Sequence, residues 1–263
     1  MSEDILKKIL DNKKIKINNL KKNISLESLS QKIIENNCFI NFKEKIINNH
    51  KNDKISIIAE IKKASPSAGI IIKDYNPVEI ANIYKSNKAT CLSVLTEEDF
   101  FLGNFTHISK IKQKIDLPIL CKDFFFDKFQ VHLAKSYGAD AILIILAGIT
   151  DKIAEELYEN ALKLNMSVIV EVHTKDEAKN SIKFKDALIG INNRNLKTLK
   201  IDINTTFDIH GILEEHKGPL ISETGISFKE ELLEITKKTR IKTFLIGESL
   251  LKNLDKSSIF SVL

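Results

Sequence analysis

Short runs of apolar, largely β-branched residues recur along the chain: Ile57 to Ile61, Cys91 to Leu95, Leu117 to Cys121, Ala141 to Leu146, Val168 to Val172, Leu188 to Ile191, Pro219 to Ser222 and Thr243 to Ile246. Each is too short for a helix and reads as a strand covered on both faces. Most gaps between them hold one stretch of helical period, such as PVEIANIYKSN, FQVHLAKSYG, ITDKIAEELYENALKLN or FKEELLEITKKT. Strand and helix therefore alternate, which predicts an α/β protein with a parallel sheet under a layer of helices. Eight such units predict a closed (β/α)8 barrel of the TIM type rather than an open doubly wound sheet. No G-x-G-x-x-G follows the first strand and no G-x-x-x-x-G-K-[ST] occurs, so the nucleotide-binding sheets lose their main support.

Residues 1 to about 50 stand outside this rhythm. Their apolar positions (Ile5, Leu6, Ile9, Leu10; Leu26, Leu29, Ile33, Ile34; Phe42, Ile46, Ile47) have helical spacing in an Asn- and Lys-rich background. They predict two or three short helices that pack on the barrel, because a segment of that size buries too little surface to fold unaided. The length of 263 residues suits two modest domains or one large one. The eight units favour one barrel domain over 1–263, with 1–50 as a helical extension. The eighth unit lies close to Leu263, leaving no room in this sequence for a fused second barrel.

Composition narrows the class. The balance of 40 Lys+Arg against 35 Asp+Glu gives +5, yet the only arginines are Arg194 and Arg240. Lysines alternate with acids along helical faces, so the excess is solvated surface and argues against a nucleic-acid binder, which needs a clustered basic face. Cys38, Cys91 and Cys121 are widely spaced and form no C-x-x-C, which points to a reducing compartment rather than a disulfide framework or a zinc ribbon. No run approaches the ~18 apolar residues of a membrane span and the N-terminus lacks a signal-peptide core, so a cytoplasmic protein is expected. The six histidines include no H-x-x-x-H pair, and no metal site is expected.

In a parallel barrel, chemistry gathers at the carboxyl ends of the strands. Here those ends carry Glu60, Lys62 and Ser65; Thr96, Glu97 and Glu98; Lys122 and Asp123; Glu171 and His173; Asn192 and Arg194; Glu223, Thr224 and Gly225; and Gly247 and Glu248. The two-residue period of a strand puts Glu60 with Lys62, Glu171 with His173, and Asn192 with Arg194 on shared faces. A single charge at a loop start is ordinary surface. So many charged strand ends around one mouth suit proton transfer on an anionic substrate. Gly225 and Gly247, each ahead of a helix, suggest a phosphate cradle, with the Glu248 side chain turned away.

The stretches IIAEIKKASPSAGII, SVLTEEDFFLGN, LPILCKDFFFDKFQVHLAKSYGADAILII, VIVEVH, IGINNRNLKTLKID, ISETGI and FLIGESLL resemble, in order and spacing, the strand-end motifs of the indole-3-glycerol-phosphate synthase family. The resemblance implies a barrel enzyme of tryptophan biosynthesis, a carboxy-lyase. Its substrate would be 1-(2-carboxyphenylamino)-1-deoxyribulose 5-phosphate, ring-closed, decarboxylated and dehydrated without a cofactor. It further implies catalytic roles for Glu60, Lys62, Lys122, Glu171, Asn192 and Glu223, and substrate or phosphate contacts for Ser65, Arg194, Thr224, Gly225, Gly247 and Glu248. Thr224 stands where the family usually has Ser, and Cys121, where it often has Arg, is turned by alternation towards the helix layer. Lys122 is the expected general acid, its pKa lowered by neighbouring cations, and Glu171 the expected base. A Schiff-base aldolase using Lys62 or Lys122 as nucleophile is the competing enzyme reading.

Overall fold

Eight parallel strands close on themselves in the computed structural model, which describes residues 5–36, 39–196, 198–254 and 258–263. They are β1 (Ser56–Ile61), β2 (Cys91–Leu95), β3 (Ile119–Lys122), β4 (Ala141–Ile145), β5 (Ser167–Val172), β6 (Leu188–Asn192), β7 (Leu220–Glu223) and β8 (Thr243–Ile246). Each pairs with its sequence neighbours, and β1 closes the ring against β8 in the register Ser56↔Thr243 to Ala59↔Ile246. The expected barrel is the observed one. Strands β3 and β7 start one or two residues later than the apolar runs because Pro118 and Pro219 have no N–H for the ladder. They end later as well, carrying Lys122 and Glu223 inside the sheet.

Alternation sorts the strand side chains into two packed layers. Ile58, Leu120, Leu143, Ile169, Ile221 and Leu245 fill the barrel interior. Val94, Cys121, Val170 and Ile191 face the helices, as expected for Cys121. Cys91 and Cys121 are free and buried, while Cys38 lies outside the described residues. Towards the carboxyl end of β1, β3, β5, β6 and β7 the inward positions change from apolar to polar or charged, so these strands carry their candidate functional residues at the end of a largely apolar column.

Three helices precede the barrel: α1 (Ile5–Asn23), α2 (Leu26–Glu35) and α3 (Phe42–Lys51). Ser25 and Asn41 cap α2 and α3, accepting from the N–H groups of Ser28 and Glu44. The first helix, at 19 residues, is longer than the short element its sequence suggests. Its buried face is Leu6, Ile9, Lys13 and Ile17, a helical stripe with a lysine in it. Helix α3 closes the opposite end of the barrel. Phe42 and Ile46 pack into the interior cluster, His50 Nε2 lies 2.8 Å from Thr243 Oγ1, and Asn49 donates to Ser56 Oγ at 3.0 Å.

The other helices follow the strands: α4 (Pro77–Ser86), α5 (Phe105–Lys112), α6 (Lys128–Ser136), α7 (Asp151–Lys163), α8 (Lys175–Ser181), α9 (Asn204–His210), α10 (Lys229–Lys238) and α11 (Glu248–Lys252). After β1 the chain makes a small hairpin, Ala64–Ser65 against Gly69–Ile70. After β6 it forms an irregular loop bridged between Arg194 and Ile201. Among the described residues, no helix is long and apolar enough to cross a membrane.

Candidate active site

The carboxyl ends of the strands open into a cavity of about 330 Å³. Ile5 and Ile9 of α1 form part of its wall, as do Phe101, Phe124 and the loop after β6. Apolar side chains therefore face charged ones across a single space.

Lys122 occupies the centre of the charged side. Its Nζ lies 2.7 Å from Glu223 Oε2 and 3.3 Å from Glu171 Oε2. Burial disfavours its charge, but Glu223, Glu171 and Glu60 outweigh burial and hold its pKa above the ordinary lysine value. This corrects the expectation of a lysine made less basic by neighbouring cations: the groups that crowd Lys122 are carboxylates. Lys62, just beyond the end of β1, has its Nζ 2.6 Å from Glu60 Oε1, and the two form a partly buried ion pair. Burial opposes the Glu60 charge as well, yet Lys62 and Lys122 keep it ionised.

Two carboxyls around Lys122 are driven apart. Glu223 is fully buried, and burial together with nearby Glu171 pushes it up to about 7 despite Lys122. Glu171 is as buried, but Lys122, His173 and Asn192 hold it well below the usual carboxylate range. Asn192 Nδ2 donates to Glu171 Oε1 at 3.1 Å, and Asn192 Oδ1 accepts from the Arg194 N–H at 3.0 Å. One carboxyl ready to hold a proton and one ready to accept it, with an ammonium between them, form an acid–base array.

Glycines make room for these side chains. A Cβ at Gly190 would overlap Glu223 Oε1, and one at Gly247 would overlap Glu60 Oε1. The need for glycine at 247 thus comes first from a carboxylate. Gly225 has φ +87° and follows Thr224 at φ +68°, an unusual conformation for a β-branched residue. Asn193 holds that turn: its Nδ2 donates to Thr224 O at 2.9 Å and to Ser222 Oγ at 3.2 Å, while its Oδ1 accepts from Thr206 Oγ1 at 2.8 Å. Backbone strain of this kind costs about 1–3 kcal/mol and persists where the surroundings enforce it.

The remaining expected site residues also lie at this mouth. Ser65 Oγ accepts the Ala68 N–H at 3.2 Å, and Arg194 reaches the same hairpin turn, donating to Ser67 Oγ at 3.1 Å. Glu248 pairs with Lys252 at 2.7 Å, consistent with a side chain engaged elsewhere than with an anion. Just ahead of α10, Glu231 accepts from Ser227 N at 2.7 Å and Phe228 N at 3.0 Å, so these two N–H groups are already engaged. Glu97 and Glu98 are structural: Glu97 accepts the N–H groups of Asp99, Phe100 and Phe101, and Glu98 pairs with Lys16.

Several participants escaped sequence reasoning. Lys13 of α1 is buried and bonded to Asp123 Oδ2 at 2.7 Å, which also accepts from Thr96 Oγ1 at 2.5 Å. Its signal was available, as a lysine spaced with Leu6, Ile9 and Ile17. Asn193 and Glu177 gave no signal, since both read as loop or helix polarity. No group of three or more His, Cys, Asp or Glu is arranged to hold a metal ion among the described residues.

Fold and site together define a (β/α)8-barrel enzyme with an acid–base array at its carboxyl mouth. The sequence profile of indole-3-glycerol phosphate synthase matches residues 6–262. The chain belongs to the indole-3-glycerol phosphate synthase family, the carboxy-lyases of one step in tryptophan biosynthesis. It is 41% identical over 268 residues to indole-3-glycerol phosphate synthase of Prochlorococcus marinus (strain MIT 9301), covering 100% of this chain and 90% of that protein. The protein of that name from Clostridium acetobutylicum is 39% identical over 252 residues, covering 95% of this chain and 94% of its own. The tryptophan biosynthesis protein TrpCF of Buchnera aphidicola is 42% identical over 95% of this chain, which spans 53% of it. Among solved structures, the alpha subunit of tryptophan synthase from Legionella pneumophila shares the fold at a TM-score of 0.58 and 11% identity, covering 84% of this chain and 93% of its own.

Proposed function

We propose that this mouth binds 1-(2-carboxyphenylamino)-1-deoxyribulose 5-phosphate and converts it to indole-3-glycerol phosphate, carbon dioxide and water. The observation that carries the reading is Lys122 held as an ammonium between Glu171 and Glu223. Ring closure needs a proton on the substrate's ketone oxygen as an aromatic carbon attacks it. Lys122 supplies that proton, since a developing alkoxide is more basic than the amine left behind. Glu223, protonated in part near neutrality, is placed to restore it. Lys62 faces the substrate carboxylate, which leaves as carbon dioxide, or donates when the hydroxyl departs as water. Glu171 takes the ring proton as the indole becomes aromatic, and Glu60 and Asn192 orient these groups.

The apolar wall from Ile5, Ile9 and Phe124 suits the anthranilate ring, and Arg194, Ser65 and the stretches at Thr224, Gly225, Gly247 and Glu248 suit the phosphate. In this reading residues 1–263 act as one domain, with 1–50 as its extension, in the cytoplasm, on a free small molecule rather than on nucleic acid or membrane. A Schiff-base mechanism requires a neutral amine, which the carboxylates around Lys122 oppose. Incubating the chain with the anthranilate-derived substrate tests the assignment. Indole absorbance should rise with time, and no absorbance change at saturating substrate would refute it.

A further inference from the structure

His173 stands two residues beyond Glu171 and takes no part in the scheme above. Its ring is buried, and both of its nitrogens face carboxylates. Nε2 lies 3.1 Å from Glu171 Oε1, an ion-pair distance without hydrogen-bond alignment, and Nδ1 lies 3.2 Å from Glu177 Oε2, a hydrogen bond. A neutral imidazole carries one N–H and leaves its other nitrogen as an acceptor, which would set a lone pair against a carboxylate. Only the imidazolium suits both neighbours.

The second carboxylate is itself fixed. Glu177 lies in the first turn of α8, where its N–H donates to Thr174 Oγ1 at 3.2 Å. Its Oε2 also accepts the backbone N–H of His173 at 2.8 Å, so helix, ring and strand end are tied at one point. On its far side Glu171 meets Lys122 from β3, with Glu223 of β7 beyond.

We propose that His173 is a positioning residue for the reaction, a buried imidazolium that fixes Glu171 and keeps it ionised against competition from Glu223. This rests on the reading of Glu171 as the base. The two carboxyls share one environment with room for one proton, and Lys122, 2.7 Å from Glu223 and 3.3 Å from Glu171, would by distance alone favour the charge on Glu223. A cation on one side of Glu171 decides which carboxyl keeps the proton. Although burial opposes a charged His173, Glu171 and Glu177 push it up to about 9, so the clamp persists across neutral pH. Glu177 acts through His173 and never meets the substrate.

Two measurements test this. In His173→Asn, the acid limb of the kcat/KM profile should move up by about 1 to 3 pH units, the span an opposite charge commonly exerts. Its kcat should fall at acidic pH, recover towards neutral pH where Glu171 ionises again, and leave KM within about threefold. A uniform loss at every pH, with the limb unmoved, overturns the proposal by making His173 a packing residue. Independently, NMR titration of the full chain with nitrogen-labelled histidine should show both ring N–H groups of His173 retained above pH 8, and a lower pKa in Glu177→Gln. A neutral ring at pH 7 overturns the clamp. Should the unmutated chain fail to turn the substrate over, the functional reading falls, and the titration alone decides the state of His173.

Discussion

The two ends of the barrel are closed by the same N-terminal extension in opposite ways. At the amino end α3 drives Phe42 and Ile46 into the interior, a dry apolar plug with polar contacts only at its rim. At the carboxyl end α1 adds ion pairs to its apolar stripe: Lys13 to Asp123, Lys16 to Glu98 and Asp99, and Lys21 to Asp127. The floor gains stability from burying carbon. The mouth keeps ions out of water, which costs free energy unless each is paired. One end serves permanence, the other chemistry.

Substitutions at each end should separate these roles. The largest change is expected at the mouth, where Lys122→Met removes the general acid and should lower kcat by about 100-fold to 10,000-fold with substrate affinity within an order of magnitude. Steady-state turnover together with binding of the unreacted substrate checks this, and near-normal turnover excludes Lys122 from the mechanism. Next comes the floor. Phe42→Ala should lower unfolding free energy by about 3–5 kcal/mol in denaturant titration, while activity per folded molecule stays near normal. A large loss of kcat at full folding would mean that the two ends are coupled. The smallest effect belongs to the exposed pairs of α1: Lys16→Ala should change stability by less than about 1 kcal/mol and weaken further as a contributor at high salt. A change of several kcal/mol would show that α1 is held by that pair rather than by Lys13 and its apolar stripe.

The fold was legible because its eight apolar runs are buried on both faces and leave no doubt of their period. Element ends were less legible, since Lys122 and Glu223 belong to strands by hydrogen bonding yet look like loop residues by polarity. Residues of the site could be found from their position after each run. Their states could not: whether Lys122 is made more or less basic depends on which neighbours across the barrel reach it, and those neighbours are 49 and 101 positions away in the chain. Thr224 is a plainer case. Nothing in the letters Thr-Gly says that the left-handed turn begins one residue before the glycine, because the buried amide of Asn193 enforces it from the segment just after β6.

The strap that joins mouth to floor also bears on how the chain comes off the ribosome. Its helices emerge before the barrel, and their partners are made late: Lys13 waits for Asp123, 110 residues on, the backbone of Lys43 for Ser167, and His50 for Thr243, 193 residues on. Contacts so distant form slowly, because a long loop must close before either partner is rewarded. Until then Phe42 and Ile46 have no barrel to enter, and the strand ends of β1 and β8 have no cover. The extension is thus translated before its partners and docks only after them, which makes the nascent chain, rather than the finished enzyme, the form most in need of protection from aggregation.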